Sequence, residues 1–198
     1  MMERLSYLRR VLAISQAGMA YAKDRFDLER YQTLHDLTVA QLATITDRNT
    51  EQIQDFLAKE AGYPTPKVDV RAFIQQDDQV LLVEDATRHW ALPGGFAEVG
   101  WSPKQNIIKE VHEECGLQVK VSALRAIYDT ALRPDIPQVF QYYKLIFSCE
   151  IEAGRFQQNS ETVAMAFFDR NALPLLSLKR TTPEQLAQLF DQADLYLD

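Results

Sequence analysis

The sequence predicts an α/β fold, a layered sandwich of strands and helices, preceded by a small all-helical domain. Three observations carry this. Residues 1–62 hold helix-like apolar spacing and no alternating segment. Alternation begins only after the hexapeptide Ala61-Gly62-Tyr63-Pro64-Thr65-Pro66. Strand-like runs then flank one sharply punctuated helix, and a second helix lies near the end of the chain. The division expected is a helical domain over 1–62 and a second domain over 67–198.

In the first part, Leu5, Leu8, Leu12 and the stretch from Ser15 to Ala20 form one helical segment. Asp24 to Asp27 is a polar break, and Leu28, Tyr31, Leu34, Leu37 and Leu42 form a second. Ile53, Phe56 and Leu57 suggest a third, short helix. Eight Lys/Arg against nine Asp/Glu over 1–62 weigh against a DNA-binding helical module, which carries a basic excess. After the linker, Val68, Val70, Ala72 and Ile74 alternate with Lys67, Asp69, Arg71 and Gln75, the period of a half-buried strand. Gln76-Asp77-Asp78 turns into a second strand at Gln79–Glu84. Further strands are expected at Leu117–Val121, Leu124–Tyr128, Val139–Ile151 and Thr162–Phe168, with a sheet break at residues 134–137. The capping sequence Thr182-Pro183-Glu184-Gln185 opens a helix to about Leu195.

The segment from Leu92 to Leu117 carries the chemistry. Pro93-Gly94-Gly95 makes a turn. Ser102 suits an N-cap, Pro103 the first helical position, and Gln105 completes a capping box. Gly116 suits a left-handed stop. Ile107, Ile108, Val111 and Cys115 share an apolar stripe, while Glu110, Glu113 and Glu114 gather on the opposite arc. Lys109 stands four residues before Glu113 and can pair with it. Such an acidic face is either solvated or a ligand set. A tight Gly-Gly backbone at Gly94 and Gly95, beside clustered hard oxygens, is what a magnesium ion and a phosphate chain require together.

The residues from Gly95 to Leu117 resemble the Nudix box, G-x5-E-x7-R-E-U-x-E-E-x-G-U with U aliphatic. Gly95, Glu110, Val111, Glu113, Glu114, Gly116 and Leu117 stand at its spacings. Trp101 replaces its first glutamate and Lys109 its arginine, so the Glu–Arg contact that braces loop to helix in that family is lost in that form. The resemblance implies an α/β/α sandwich with a mixed sheet. It also implies metal-assisted hydrolysis of a diphosphate linkage, with Mg2+ or Mn2+ held by Glu110, Glu114, Glu113 and the Gly94 carbonyl. The general base is expected at Glu161, on a loop before a late strand, or at Glu113. The helical N-terminus is similar to a subgroup acting on X-linked nucleoside diphosphates, of the ADP-ribose or CDP-choline type. The expected products are a nucleoside monophosphate and phospho-X, and the partner a nucleotide-sugar-like or nucleotide-alcohol small molecule. A nucleotide-sensing module without turnover and an RNA-end-processing hydrolase are the alternatives.

Arg71 is the candidate phosphate clamp, or else a surface residue of its strand. Trp90, Phe96, Trp101 and Tyr128 are candidate stacking platforms, or else core. A formal charge of −7 argues against nonspecific binding to duplex nucleic acid, which needs a cationic surface. The two cysteines, Cys115 and Cys149, read as core thiols of a cytoplasmic protein, and no apolar run approaches a membrane span. The stripes Leu5/Leu8/Leu12 and Tyr31/Leu34/Leu37 exceed what short helices bury among themselves. They should pack on the second domain or on a second copy, and a homodimer through the helical domain, bordering the substrate pocket, is expected.

Overall fold

The computed structural model describes residues 2–58, 60, 62–133 and 135–198. Ala61 of the expected linker and Pro134 of the expected sheet break lie outside them. The chain forms two compact units. One comprises Met1–Lys67 with Asp129–Tyr142, the other Val68–Tyr128 with Tyr143–Asp198.

The helical unit contains α1 (Met2–Tyr21), α2 (Arg25–Ala43) and α3 (Thr50–Leu57). Asp24 caps α2 by accepting the Asp27 N–H, and Asn49 forms a full capping box with Gln52 at α3. Leu5, Leu8 and Leu12 do not wait for a second copy. They are buried against Val39, Leu42, Ile53, Leu57 and Val139 of the same unit. The inward face of α2 is His35, Thr38, Val39 and Leu42, one position out of phase with the expected stripe, so Leu34 and Leu37 stay exposed. Val139 and Phe140 belong to this core rather than to a strand, with Phe140 against the Phe56 ring. The strand expected from Val139 therefore begins later, at Tyr142.

In the second unit, one sheet runs in the order β1 (Lys67–Phe73), β6 (Tyr142–Gly154), β5 (Leu117–Asp129) and β8 (Tyr196–Leu197). The β5–β8 pair is parallel. The other sheet is antiparallel and centred on β3 (Gln79–Glu84). On one edge it carries β2 (Gln75–Gln76) and β4 (Trp90–Ala91), and on the other β7 (Ala164–Asp169). Two strands expected over 117–128 are one: Ser122-Ala123 holds neither Gly nor Pro, and Ser122 donates to the Ser148 carbonyl across the sheet.

β3 shows why helices flank both faces. Leu81 and Val83 enter a core with Ile107, Val111 and Cys115 of α4 (Pro103–Cys115). Val80 and Leu82 enter a second core with Leu186 and Leu189 of α5 (Pro183–Asp191). Alternate residues of one strand thus meet opposite layers. Both thiols are free and lie in the first core, and burial pushes each up to about 12. α5 stops short of Leu195 because Arg125 captures the Leu189 and Gln192 carbonyls, and Gln192 is already extended. The chain then lies along β5 as β8.

Gly116 ends α4 with φ +68. Its missing side chain also matters, since a Cβ there would stand 2.5 Å from the Arg155 carbonyl oxygen. Gly100 has φ +93 but open space around it. Gly116→Ala should therefore cost more than Gly100→Ala, which meets only the backbone strain of about 1–3 kcal/mol. Urea denaturation of the two variants checks this, and equal costs would show that the Arg155 contact yields freely.

Candidate active site

β1 organises the site. Its Ala72 and Val70 N–H groups donate to the Pro93 and Gly95 carbonyls at 2.8 Å, and Ala97 N–H donates to Val68. The glycine turn is thereby laid antiparallel along β1. Gly94, between the two paired carbonyls, directs its N–H at Glu114 Oε2, 2.7 Å away. It has φ +136, and a side chain there would strike the Val70 carbonyl and Arg71 Cα. The glycine is thus required by the strand it presses on. A Cβ on Gly95 would stand 2.5 Å from Glu110 Oε2, so this glycine makes room for a carboxylate.

α4 supplies the acids. Its capping box forms as expected, with Ser102 accepting from Gln105 N–H and Gln105 Oε1 accepting from Ser102 N–H. Ile107, Val111 and Cys115 hold the opposite face in the core. Glu114 is buried. Burial raises its pKa, against the pull of Arg180, Arg71 and the Gly94 N–H. Glu110 is pushed up to about 7 by burial and then by the neighbouring Glu114. Glu113 points elsewhere, pairing with Lys109 at 2.6 Å on an exposed face.

Among the described residues, no group of three His, Cys, Asp or Glu side chains is gathered closely enough to hold a metal ion. Glu110 and Glu114 do fit one. They are two hard carboxylates whose mutual repulsion and desolvation a cation would relieve, and magnesium typically takes one or two carboxylates beside waters and phosphate oxygens.

Asn159 brings the Glu161 loop to the acidic helix. Its side-chain N–H group donates to the Glu113 and Glu114 carbonyls at 2.8 and 3.3 Å, and its Oδ1 accepts the N–H groups of Glu161 and Thr162. The charge of Glu161 is felt at Glu114.

Beneath the site, β1 departs from a half-buried strand. Asp69 and Arg71, the polar positions of the alternation, are 3% and 5% exposed. Arg71 is no surface residue. Its Nη2 lies 2.9 Å from Asp69 Oδ1 and its Nη1 donates to the Leu92 carbonyl. Lys144, also buried, donates to Asp69 Oδ2 at 2.9 Å. Burial lowers Lys144 to about 8, whereas Arg71 and Lys144 hold Asp69 below the usual carboxylate range despite its burial. Arg71 Nε and Asp69 Oδ1 have no hydrogen bond of good geometry.

The aromatic candidates separate. Trp90 packs edge-on against Phe168, centroids 4.6 Å apart, at the border of the second core. Tyr128 is buried in that core. Phe96 and Trp101 are 56% and 48% exposed on the loop between the glycines and α4.

The two substitutions in the box are answered locally. Lys109 reaches Glu98 at 3.1 Å as well as Glu113, so a loop-to-helix ion pair persists with a different acid. The sequence reading missed the stronger brace. Asn106, 1% exposed, accepts the Glu98 N–H at 2.9 Å and directs its amide N–H group at the Trp101 and Ser102 carbonyls. Its signal was a polar residue on the helix beside the apolar stripe. Also missed were Lys144, Asn159 and Arg180, which lie far from the box in sequence.

Residues 65–190 match the NUDIX domain, and residues 3–57 match the UDP-X-like, N-terminal oligomerisation domain. The chain belongs to the Nudix family and is a hydrolase of that family. It is 43% identical over 188 residues to the Bacillus subtilis protein named "Putative ADP-ribose pyrophosphatase YjhB", covering 94% of this chain and 90% of that one. An ADP-ribose pyrophosphatase of Methanocaldococcus jannaschii is 30% identical over 125 residues, 61% of this chain and 72% of the relative. Among solved structures, a UDP-X diphosphatase shares 41% identity with a TM-score of 0.65, covering 99% of this chain and 98% of that one. An ADP-ribose pyrophosphatase from Streptococcus suis shares 40% with a TM-score of 0.61, covering 68% and 100%.

The loop braces differ in worth. Asn106→Ala removes the hydrogen bonds of a buried amide to the Glu98 N–H and the Trp101 carbonyl and should cost about 1–3 kcal/mol. Lys109→Ala removes only partly solvated ion pairs and should move the urea midpoint much less. Denaturant curves on both variants test this, and a larger loss at Lys109 would make the ion pair the brace.

Proposed function

We propose that the protein is a metal-dependent pyrophosphohydrolase that cleaves the diphosphate of X-linked nucleoside diphosphates, of the ADP-ribose or CDP-choline type. The observation that carries this is the Glu110–Glu114 pair against the Gly94-Gly95 backbone, with both carboxyls raised in pKa. The names of the ADP-ribose pyrophosphatase and UDP-X diphosphatase relatives support the substrate class.

In this reading Glu110 and Glu114 would hold Mg2+ or Mn2+, with the Gly94 carbonyl completing the set, while Glu113 is turned to Lys109. A divalent ion so held would supply charge neutralisation at the phosphates and an acidified water. Glu114 is kept in one orientation by the Gly94 N–H. Glu161, carried to the acidic helix by Asn159, takes the proton of the attacking water, and Glu113 is the other candidate for that role. Arg71 lies too deep to swing freely. It contributes as a fixed cation under the phosphates, its charge already reaching Glu110 and Glu114. Phe96, exposed beside Gly95, suits base stacking better than Trp90, whose ring lies on Phe168.

The domain division at 1–62 and 67–198 and a homodimer through the helices belong to the same reading. Tyr7, Ile14 and Tyr21 recur every seven residues on α1 and are 64%, 60% and 64% exposed. Such a row of large apolar side chains suits burial against a second copy, and the oligomerisation-domain match over 3–57 agrees with it. Ile14→Asp should then give a monomer by light scattering, and an unchanged mass would remove α1 from the interface.

With Mg2+ or Mn2+, ADP-ribose, CDP-choline or a UDP-linked sugar should be hydrolysed to a nucleoside monophosphate, in preference to nucleoside triphosphates and dinucleoside polyphosphates. Glu114→Gln should lower turnover by about two orders of magnitude or more with folding retained. Glu161→Gln should lower kcat with Mn2+ affinity unchanged. Near-normal turnover by Glu114→Gln would overturn the metal assignment, and loss of Mn2+ binding by Glu161→Gln would make that residue a ligand rather than a base.

A further inference from the structure

Arg180 lies 66 residues beyond Glu114, outside every motif of the sequence. Its backbone is fixed from three directions. Ser177 N–H donates to the Trp90 carbonyl, and the Thr181 hydroxyl accepts the Leu92 N–H at 2.9 Å. The turn between them closes through Arg180 and Thr181 N–H groups, both donating to the Ser177 carbonyl. The Arg180 carbonyl accepts from Lys144 Nζ at 2.8 Å. The segment that feeds Pro93-Gly94-Gly95 into the site is therefore the segment that clamps this turn.

The side chain reaches forward from that mount. Nη2 donates to Glu114 Oε1 at 3.0 Å. Nη1 stands 3.7 Å from Asp85 Oδ2, and Asp85 is itself held by the Thr87 N–H and hydroxyl and the His89 N–H. Glu114 thus receives one donor on each oxygen, Gly94 on Oε2 and Arg180 on Oε1.

We propose that Arg180 is the positioning residue of Glu114. The guanidinium and the Gly94 N–H fix the rotation of the carboxylate and leave a second lone pair on each oxygen for a divalent cation. A carboxylate offers about four such sites, so both donors and a metal can share it. A charged, planar donor anchored by a second acid restricts rotation more than an ammonium would. Loss of the hydrogen-bond partner of a metal-ligating carboxylate typically costs about 10–100-fold in metal affinity or activity. This inference rests on the reading of Glu114 as a metal ligand.

The test is Mn2+ binding to the full-length, substrate-free protein, followed by the electron paramagnetic resonance of free Mn2+. Wild type, Glu114→Gln, Arg180→Ala and Arg180→Lys are compared, with thermal unfolding of each. Arg180→Ala should bind Mn2+ roughly 10–100-fold more weakly, and Arg180→Lys should recover part of the loss. In turnover, kcat should fall with little change in substrate KM. Should Arg180→Ala not fold, Arg180→Lys carries the comparison, and wild-type Mn2+ affinity there with a raised substrate KM would overturn the proposal. The same pattern in Arg180→Ala would make Arg180 a substrate contact. If wild type and Glu114→Gln bind Mn2+ alike, it is the metal reading that fails. If Glu114→Gln is weakened and both Arg180 variants match wild type, only the positioning role falls.

Discussion

The site depends on one buried carboxylate, Glu114, meeting a backbone N–H. A charged group removed from water needs partners of its own, and burial is the largest effect driving this carboxyl upward. Gly94 can offer its N–H because β1 has taken the carbonyls on either side of it, Pro93 and Gly95. That alignment presses Gly94 onto Val70 and Arg71, where no side chain fits. The 2.7 Å bond from the Gly94 N–H to Glu114 Oε2 thus ties α4 to the sheet at the point where the acids emerge.

The layer below is costly by the same logic. Asp69, Arg71 and Lys144 are nearly withdrawn from solvent. Buried ion pairs of this kind seldom stabilise a fold compared with apolar packing, although removing one partner alone is strongly unfavourable. Their effect is positional. Lys144 joins Asp69 of β1 to the Arg180 carbonyl, so sheet, late turn and acidic helix share a chain of contacts. Arg71 and Arg180 offset part of the cost of burying Glu114, while Lys144 is paired with Asp69.

The loop between the glycines and α4 solves a different problem. Without the arginine and first glutamate of the Nudix box, Lys109 pairs with Glu98 and Glu113 instead. An ammonium can serve two acids without the planar geometry a guanidinium demands. The more buried tie is Asn106, whose amide satisfies loop backbone on both sides.

The sequence by itself determined α4, its caps and its buried apolar face. Ser102, Pro103, Gln105 and Gly116 act over a few residues, and the apolar stripe orients Glu110 and Glu114 away from the core through helix periodicity alone. Those are local rules, so they could be read locally. Leu5, Leu8 and Leu12 were legible as apolar but not what would cover them, because Val139 comes from more than a hundred positions away. The polar residues of β1 looked solvent-facing, since alternation reports period and not what lies above each face. Only the tertiary structure decided that Arg71 is buried, that Glu113 turns to Lys109, that Asn159 carries Glu161 to the acids, and that Arg180 meets Glu114. Each is a contact between distant segments, fixed by the close packing of sheet and helix rather than by any pattern along the chain.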